Sequence, residues 1–409
     1  MRQAARPPLV APMTRCGGVS TAAAVVATLT LLRPLGSCAR PPCPCRDASH
    51  CALPAWAAAS KRREVFGFRT ASGGASWEAY DWTRLTTLAW VQPEDAQAAC
   101  YAHAHGARAV SKARGVNATW LATADDSELR RLADSLAEDA HDRWLDGVNF
   151  DMESPLSPEE KEDGAARDAY TKLVRHTAAR SRALLGAAAQ TSVDVAWAPS
   201  GVDGRYYDYV GLADAADLLF VMAYDAQSQN TQSRCLASAN SPYELVRAGL
   251  EQWSAVLGGA PDMKAKLVLG LPWYGYRYAC DWSAGPPGGD TSPPLCVLPS
   301  VPFRGASCSD AAGGEVGYAK LMATLRNASG AEVRRDPASR SPSFQTTDAA
   351  TGVTQYWFDD AASLSVKVAL ADSMGLGGVG CWHLDALDYA GHPEDTRAMW
   401  QSFDKATML

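Results

Sequence analysis

The sequence predicts an α/β protein: a (β/α)8, or TIM, barrel with a loop-rich subdomain inserted between its seventh and eighth strands. Three observations carry this expectation. Eight short, near-continuous apolar runs punctuate the chain, which is the pattern of a parallel sheet covered by helices. Helical patterns fill most of the intervals, so each strand has a crossover to the next. The 409 residues are 47% hydrophobic and 20% charged, a globular composition long enough for one large domain. An open doubly wound sheet is the other way to arrange the same elements.

In chain order the strands are expected at 64–69, 86–91, 107–112, 147–153, 191–197, 217–225, 266–274 and 378–384. Ser157-Pro158-Glu159-Glu160 reads as a capping box with proline at the first helical position, opening a helix to about residue 185. Ser241-Pro242-Tyr243-Glu244 opens another, to about 257, and 126–142 and 360–374 also read as helical. The interval 276–358 is too long for a connection and is rich in Gly, Pro and Ser, so it is expected to be an inserted, partly loop subdomain.

Residues 1–39 read as an address. Arg2, Arg6 and Arg15 precede an uncharged stretch, which ends at a small-residue site, Ser37-Cys38-Ala39. That is the plan of a secretory signal peptide, with cleavage placed after Ala39. The domain is then 40–409, with the insertion at 276–358. The stretch is short and rich in Ala and Thr, which favours a leader over a membrane anchor. No apolar run after residue 32 reaches the ~18 residues needed to span a bilayer.

Of the eleven cysteines, nine lie beyond residue 39. This usage fits an oxidising compartment. Cys43-Pro44-Cys45 has no second Cys or His pair at ligand spacing, so disulfides are expected rather than a metal. Cys280 and Cys296 flank a Gly/Pro loop and are expected to pair. Cys381 sits mid-strand and is expected to remain a free thiol. Asn117-Ala118-Thr119 and Asn327-Ala328-Ser329 are glycosylation sequons. The net charge of −7 disfavours nucleic acid and anionic membranes as partners. No cofactor or metal is expected, and a monomer is.

Two motifs are set aside. Gly375-Leu376-Gly377-Gly378-Val379-Gly380 matches a dinucleotide pattern but follows a helix and precedes a strand, the reverse of what phosphate binding needs. His103 and His105 belong to no H-E-x-x-H motif and sit on a polar stretch, where they are expected to be solvated.

The segment Asp146-Gly147-Val148-Asn149-Phe150-Asp151-Met152-Glu153 breaks a rule. In an extended strand Val148, Phe150 and Met152 face the helices, and Asn149, Asp151 and Glu153 face the barrel interior. Burying carboxylates is costly unless they are paired or hydrogen-bonded, so three polar groups on one inner face point to function. Glu153 falls at the C-terminal end, where barrel active sites are built. Asp151 and Glu153 lie about 6–7 Å apart at Cα, close enough to share a proton and keep Glu153 protonated as a general acid. Phe220, Met222 and Tyr224 share a face of the sixth strand, with Tyr224 near its end. Trp197, Trp273 and Trp382 fall at expected strand ends, where indoles can pack on sugar faces; core packing serves Trp197 and Trp273 as well.

This octapeptide resembles the D-G-x-[DN]-x-D-x-E signature of family 18 glycoside hydrolases. The resemblance runs from about Cys43 to the C-terminus. It includes Tyr80-Asp81-Trp82, Cys100-Tyr101-Ala102-His103, Asp194-Val195-Ala196-Trp197, Phe220-Val221-Met222-Ala223-Tyr224-Asp225, Pro272-Trp273-Tyr274-Gly275-Tyr276 and Pro302-Phe303-Arg304-Gly305. Most members carry Asp where this chain has Asn149, and one branch accepts Asn. The resemblance implies a (β/α)8 barrel and substrate-assisted, retaining hydrolysis. It implies Glu153, Asp151 and Tyr224 as catalytic residues and assigns Asn149, Met222, Asp225, Trp382 and Trp273 to substrate binding. Arg304 and Asp310, in the insertion, are expected near the site. The implied activity is exo-cleavage of GlcNAc-β-1,4-GlcNAc from the reducing end, on N-glycan cores and chitooligosaccharides. The implied place is the lysosome, with secretion as the alternative. A polymer-cleaving enzyme and an inactive lectin on the same barrel stay open.

Overall fold

The computed structural model describes residues 40–59, 62–70, 77–156, 164–230, 234–281, 295–348 and 352–404. The chain divides into units Met1–Pro42 and Cys43–Leu409. Of the first, only 40–42 are described, so the expected signal peptide lies outside the described residues, as does the expected capping box at 157–160.

The second unit is a closed barrel of eight parallel strands, each hydrogen-bonded to its sequence neighbours and the last to the first. They are β1 Glu64–Phe68, β2 Thr87–Ala89, β3 Arg108–Lys112, β4 Gly147–Phe150, β5 Gln190–Ala196, β6 Leu218–Met222, β7 Leu267–Pro272 and β8 Gly378–Trp382. Seven fall inside the expected runs, and β5 begins one residue before its own. Side chains alternate as a covered parallel sheet requires. Val65, Leu88, Val148, Phe150, Val193, Val195, Leu219, Val221 and Leu269 pack outward against the helices. Phe66, Phe68, Val110, Phe220 and Val268 fill the barrel. Gly380 on β8 makes room for that filling, because a Cβ there would lie 2.6 Å from the Phe220 ring.

The helix Asp126–Asp142 opens with a capping box from Asp125 and Glu128, and Ala361–Met374 opens with one from Asp360 and Ser363. The described helix after β4 is Ala165–Leu185. The helix expected to open at 241–244 runs Tyr243–Val256; Pro242 takes its cap position, and Ser241 Oγ donates to the Ala223 carbonyl (2.6 Å).

The expectation for His103 is corrected, and the insertion is the expected partly loop subdomain. It holds a five-stranded antiparallel sheet in the order Arg334–Arg335, Pro342–Asp348, Gly352–Trp357, Tyr274–Ala279, Gly314–Gly317, with the helix Tyr318–Asn327. Gly352–Trp357 alternates strictly in burial, with Val353, Gln355 and Trp357 inside, but the polar Gln355 on that face hides the period in the sequence. His103 is buried, not solvated: its Nδ1 lies 2.8 Å from the His50 carbonyl and its Nε2 2.8 Å from Asp146 Oδ2. Asp146, first residue of the signature, therefore ties β4 to the helix before β3, and it also accepts from Ala109 N (2.8 Å).

Disulfides join Cys43 to Cys51, Cys45 to Cys100, Cys235 to Cys308 and Cys280 to Cys296. Cys381 is the buried free thiol among the described residues, as expected. Its side chain faces the outer helices, where burial pushes its pKa up and keeps the thiol protonated. No described helix is long and apolar enough to cross a membrane.

Candidate active site

The β4 ladder ends at Phe150, so Asp151 and Glu153 project from extended chain at the C-terminal mouth of the barrel. Each carboxyl has its own cation. Lys112, the last residue of β3, donates to Asp151 Oδ2 (2.9 Å) and lies 3.5 Å over the Trp90 ring. Arg205, from the turn after β5, donates to Glu153 Oε2 (2.9 Å). The Glu153 side chain keeps 49% of its surface exposed at the mouth; partial desolvation, opposed by Arg205 and helped by Asp151 and Asp225, pushes its pKa up to about 7.

Below them lies a dry polar floor. Trp90 Nε1 donates to Asn149 Oδ1 (2.7 Å), and Asn149 Nδ2 donates to Ser192 Oγ (3.0 Å) and Asp194 Oδ1 (2.8 Å). These bonds use the amide in both directions, and Asn149 has no exposed surface. The assignment of Asn149 to substrate contact is therefore corrected: it supports the layer beneath. Asp194 is buried on the interior face of β5. Burial and the charge of Asp151 push its pKa well up.

Tyr224 lies just beyond β6, buried, and burial raises its pKa, so it is a phenol that can donate. Asp225 sits at φ 51° and accepts from Tyr274 Oη (2.5 Å) and Tyr276 Oη (2.9 Å). A cavity is lined by Glu153, Trp197, Arg205, Met222, Tyr224 and Asp225, among others. Trp382, at the end of β8, is partly buried against Phe68 and Trp90, with ring centroids 5.4 and 5.0 Å away.

Trp273 is corrected. Its indole is fully buried on the outer side of the barrel, edge-on to Trp400 (5.0 Å) and against Phe403 (5.7 Å), so it is core and not sugar platform. Trp197 does reach the cavity. Arg304 donates to the Asp203 carbonyl at the cavity rim. Asp310 lines a separate small hollow with Tyr278, where burial pushes its pKa up to about 7. Sequence reasoning did not single out Lys112, Asp194, Asp203 or Arg205. For Asp194 a signal existed, since Ser192 and Asp194 alternate with Val193 and Val195 as Asn149 and Asp151 do with Val148 and Phe150.

A family model described as "Glycosyl hydrolases family 18" matches residues 116–386. The chain belongs to this family. Among curated relatives, "Di-N-acetylchitobiase" of Rattus norvegicus is 36% identical, covering 91% of this chain and 96% of the relative. "Probable di-N-acetylchitobiase 2" of Dictyostelium discoideum is 37% identical, covering 88% and 89%. A class V chitinase from Nicotiana tobaccum superposes with TM-score 0.65 at 19% identity, covering 84% of this chain and 99% of that one. The chitinase-like agglutinin from Robinia pseudoacacia gives 0.61 at 20%, covering 84% and 99%. These two similarities show the barrel. As a family 18 member the chain is a glycoside hydrolase, and a carbohydrate is its substrate. Its four disulfides suit the secretory pathway.

Proposed function

We propose that this family 18 glycosidase hydrolyses the β-1,4 bond between two GlcNAc residues, releasing single GlcNAc units from the reducing end. The observation that carries the reading is Glu153: a carboxyl at the barrel mouth that keeps its proton to about pH 7, beside Asp151 and Tyr224. As the bond between C1 and the glycosidic oxygen breaks, Glu153 gives its proton to that oxygen. The acetamido oxygen of the same sugar attacks C1 and forms an oxazolinium ion, the substrate-assisted route of this family. Asp151 accepts the acetamido N–H and offsets the cation's charge. Tyr224 donates to the acetamido oxygen. Water then opens the ring at C1 and gives its proton to Glu153, with retention. The cavity-facing side of Trp382 packs against the reacting sugar.

The directional part rests on the insertion. Arg304 contacts Asp203, Gln229 Nε2 donates to the Arg304 carbonyl (3.0 Å), and the Cys235–Cys308 disulfide ties the insertion to the segment after β6. These contacts wall the flank on which Arg205 meets Glu153, and a wall there limits the leaving side to one sugar. The curated relatives named as di-N-acetylchitobiases support the substrate. The leader-like residues 1–39 and the sequons support passage through the secretory pathway, with the lysosome as the place of action. Product analysis with reducing-end-labelled chitooligosaccharides tests the reading. Labelled GlcNAc should appear first, and early unlabelled disaccharide would refute the direction. Glu153→Gln should lower kcat by at least ~10², the lower end of general acid catalysis, while ligand binding persists.

A further inference from the structure

Glu153 stands three residues past the end of β4, beyond the last ladder pair of that strand. Its segment is held from the next strand. The turn after β5 passes through Gly201, Asp203 and Gly204 at φ 81°, 55° and 76°. Two of the three are glycines, which adopt such angles freely, whereas Asp203 does so against its own Cβ. This turn brings three groups to the acid's segment. The Gly204 carbonyl accepts from Leu156 N (3.1 Å). Tyr207 Oη reaches the carbonyls of Met152 (3.1 Å) and Ser154 (2.5 Å), the residues on either side of Glu153. Arg205 Nη2 donates to Glu153 Oε2 (2.9 Å) and to Asp203 Oδ2 (3.2 Å).

Asp203 is itself braced. Ser228 Oγ donates to its Oδ1 (2.8 Å), its N–H donates to Gln229 Oε1 (2.6 Å), and its carbonyl accepts from Arg304 of the insertion. The Arg205 guanidinium is thus held from behind, with its side chain 11% exposed and its Nε buried without a partner. Burying a guanidinium with an idle donor is costly, and the bonds to Glu153 and Asp203 offset that cost.

We infer that Arg205 is the positioning residue of the general acid: it aims the Glu153 carboxyl and counters the charge left there when the proton moves to the leaving oxygen. The inference rests on Glu153 being that acid. Every other ionisable group facing Glu153 is acidic or neutral when protonated. Asp151 follows β4 and is already engaged by Lys112, Asp194 comes from β5, and Asp203 and Tyr207 come from its turn. Tyr224 and Asp225 follow β6, and Asp310 and Arg304 of the insertion act on their neighbours Asp225 and Tyr207. Without Arg205 the acid would hold its proton more tightly and transfer it less readily.

The test is kcat/KM against pH on a chitooligosaccharide for the parent, Arg205→Met and Arg205→Lys, with Glu153→Gln as control. Thermal unfolding of each variant comes first. In Arg205→Met the alkaline limb should move up by about one pH unit, the low end of the effect of an opposite charge in contact. Arg205→Lys keeps the charge and loses the fork, so its limb should stay parental while kcat falls. A parental limb in folded Arg205→Met overturns the inference. If that variant does not fold, Arg205→Lys decides: a displaced limb or an undiminished kcat overturns it. Parental turnover by Glu153→Gln would instead remove Glu153 from the acid role. An inactive Glu153→Gln beside an unmoved Arg205→Met limb removes Arg205 alone.

Discussion

Asn149→Asp restores the residue most of the family carries, and in this chain it should be damaging. The amide now donates to Asp194 Oδ1 at 2.8 Å and Ser192 Oγ at 3.0 Å, with no exposed surface on Asn149. A carboxylate there loses both donors and faces a second buried carboxyl at contact distance. Two unit charges that close repel by ~4 kcal/mol or more even at an effective dielectric near 20, so the pair must keep a proton. At acid pH the retained proton replaces one of the lost donors, and the cost should be about 1–3 kcal/mol. The variant's native state binds a proton that its unfolded state releases above its ordinary carboxylate range. Its stability should therefore fall as pH rises, by up to about 1.4 kcal/mol per unit, as the parent's already does through Asp194, but over a range extended to higher pH because the second carboxyl holds the shared proton more tightly. The swap Asn149→Asp with Asp194→Asn restores one amide and one carboxyl. It should recover about 2 kcal/mol relative to the sum of the single variants. Urea unfolding at acid and at mildly alkaline pH measures each quantity. A single variant as stable as the parent at both pH values, or a swap no better than additive, would refute the argument.

Three further outcomes are expected. Trp273→Ala should cost about 3–5 kcal/mol in unfolding free energy, as large core truncations do, with KM unchanged where the protein stays folded; Trp382→Ala should instead raise KM. Tyr224→Phe should lower kcat and kcat/KM together, because its bond strengthens as the oxazolinium forms, and a change in KM alone would reduce it to a binding contact. The alkaline limb of kcat/KM should fall near pH 7, where Glu153 loses the proton it must donate. For folding, the sign is the same: a carboxyl raised from 4.5 to about 7 favours the native state at acid pH, and that contribution is lost as pH rises through 7.

The barrel was legible because eight covered strands cannot hide their apolar runs, and the acid pair because carboxylates alternating with apolar residues along a covered strand are costly unless they serve a function. What stayed illegible was whatever depends on two distant segments meeting. Trp273 and Trp382 look alike in sequence, each at a strand end. Trp273 nevertheless turns toward Trp400 and Phe403 from the last helix and its trailing segment, and Trp382 toward Phe68 and Trp90 inside the barrel. The insertion's sheet forms by pairing Tyr274–Ala279 with strands some 40 and 80 residues on, for which no local pattern exists.

The site's cations are the sharpest case. A lysine at a strand end and an arginine in a Gly-rich turn are each unremarked alone, since such residues are usually solvated. Here they stand where four carboxyls meet at one barrel mouth, Asp151, Glu153, Asp194 and Asp225, and positive charge within contact distance favours the ionised forms of the two nearest it. Lys112 and Arg205 supply it, one to each carboxyl, from the end of β3 and from the turn after β5. The demand was readable from the signature; the suppliers had to be found by geometry. The substitution of Asn for Asp at 149 belongs to the same accounting. With Asp194 occupying the floor, a fifth carboxyl would have no cation left to meet it, and an amide that donates to Asp194 removes the need.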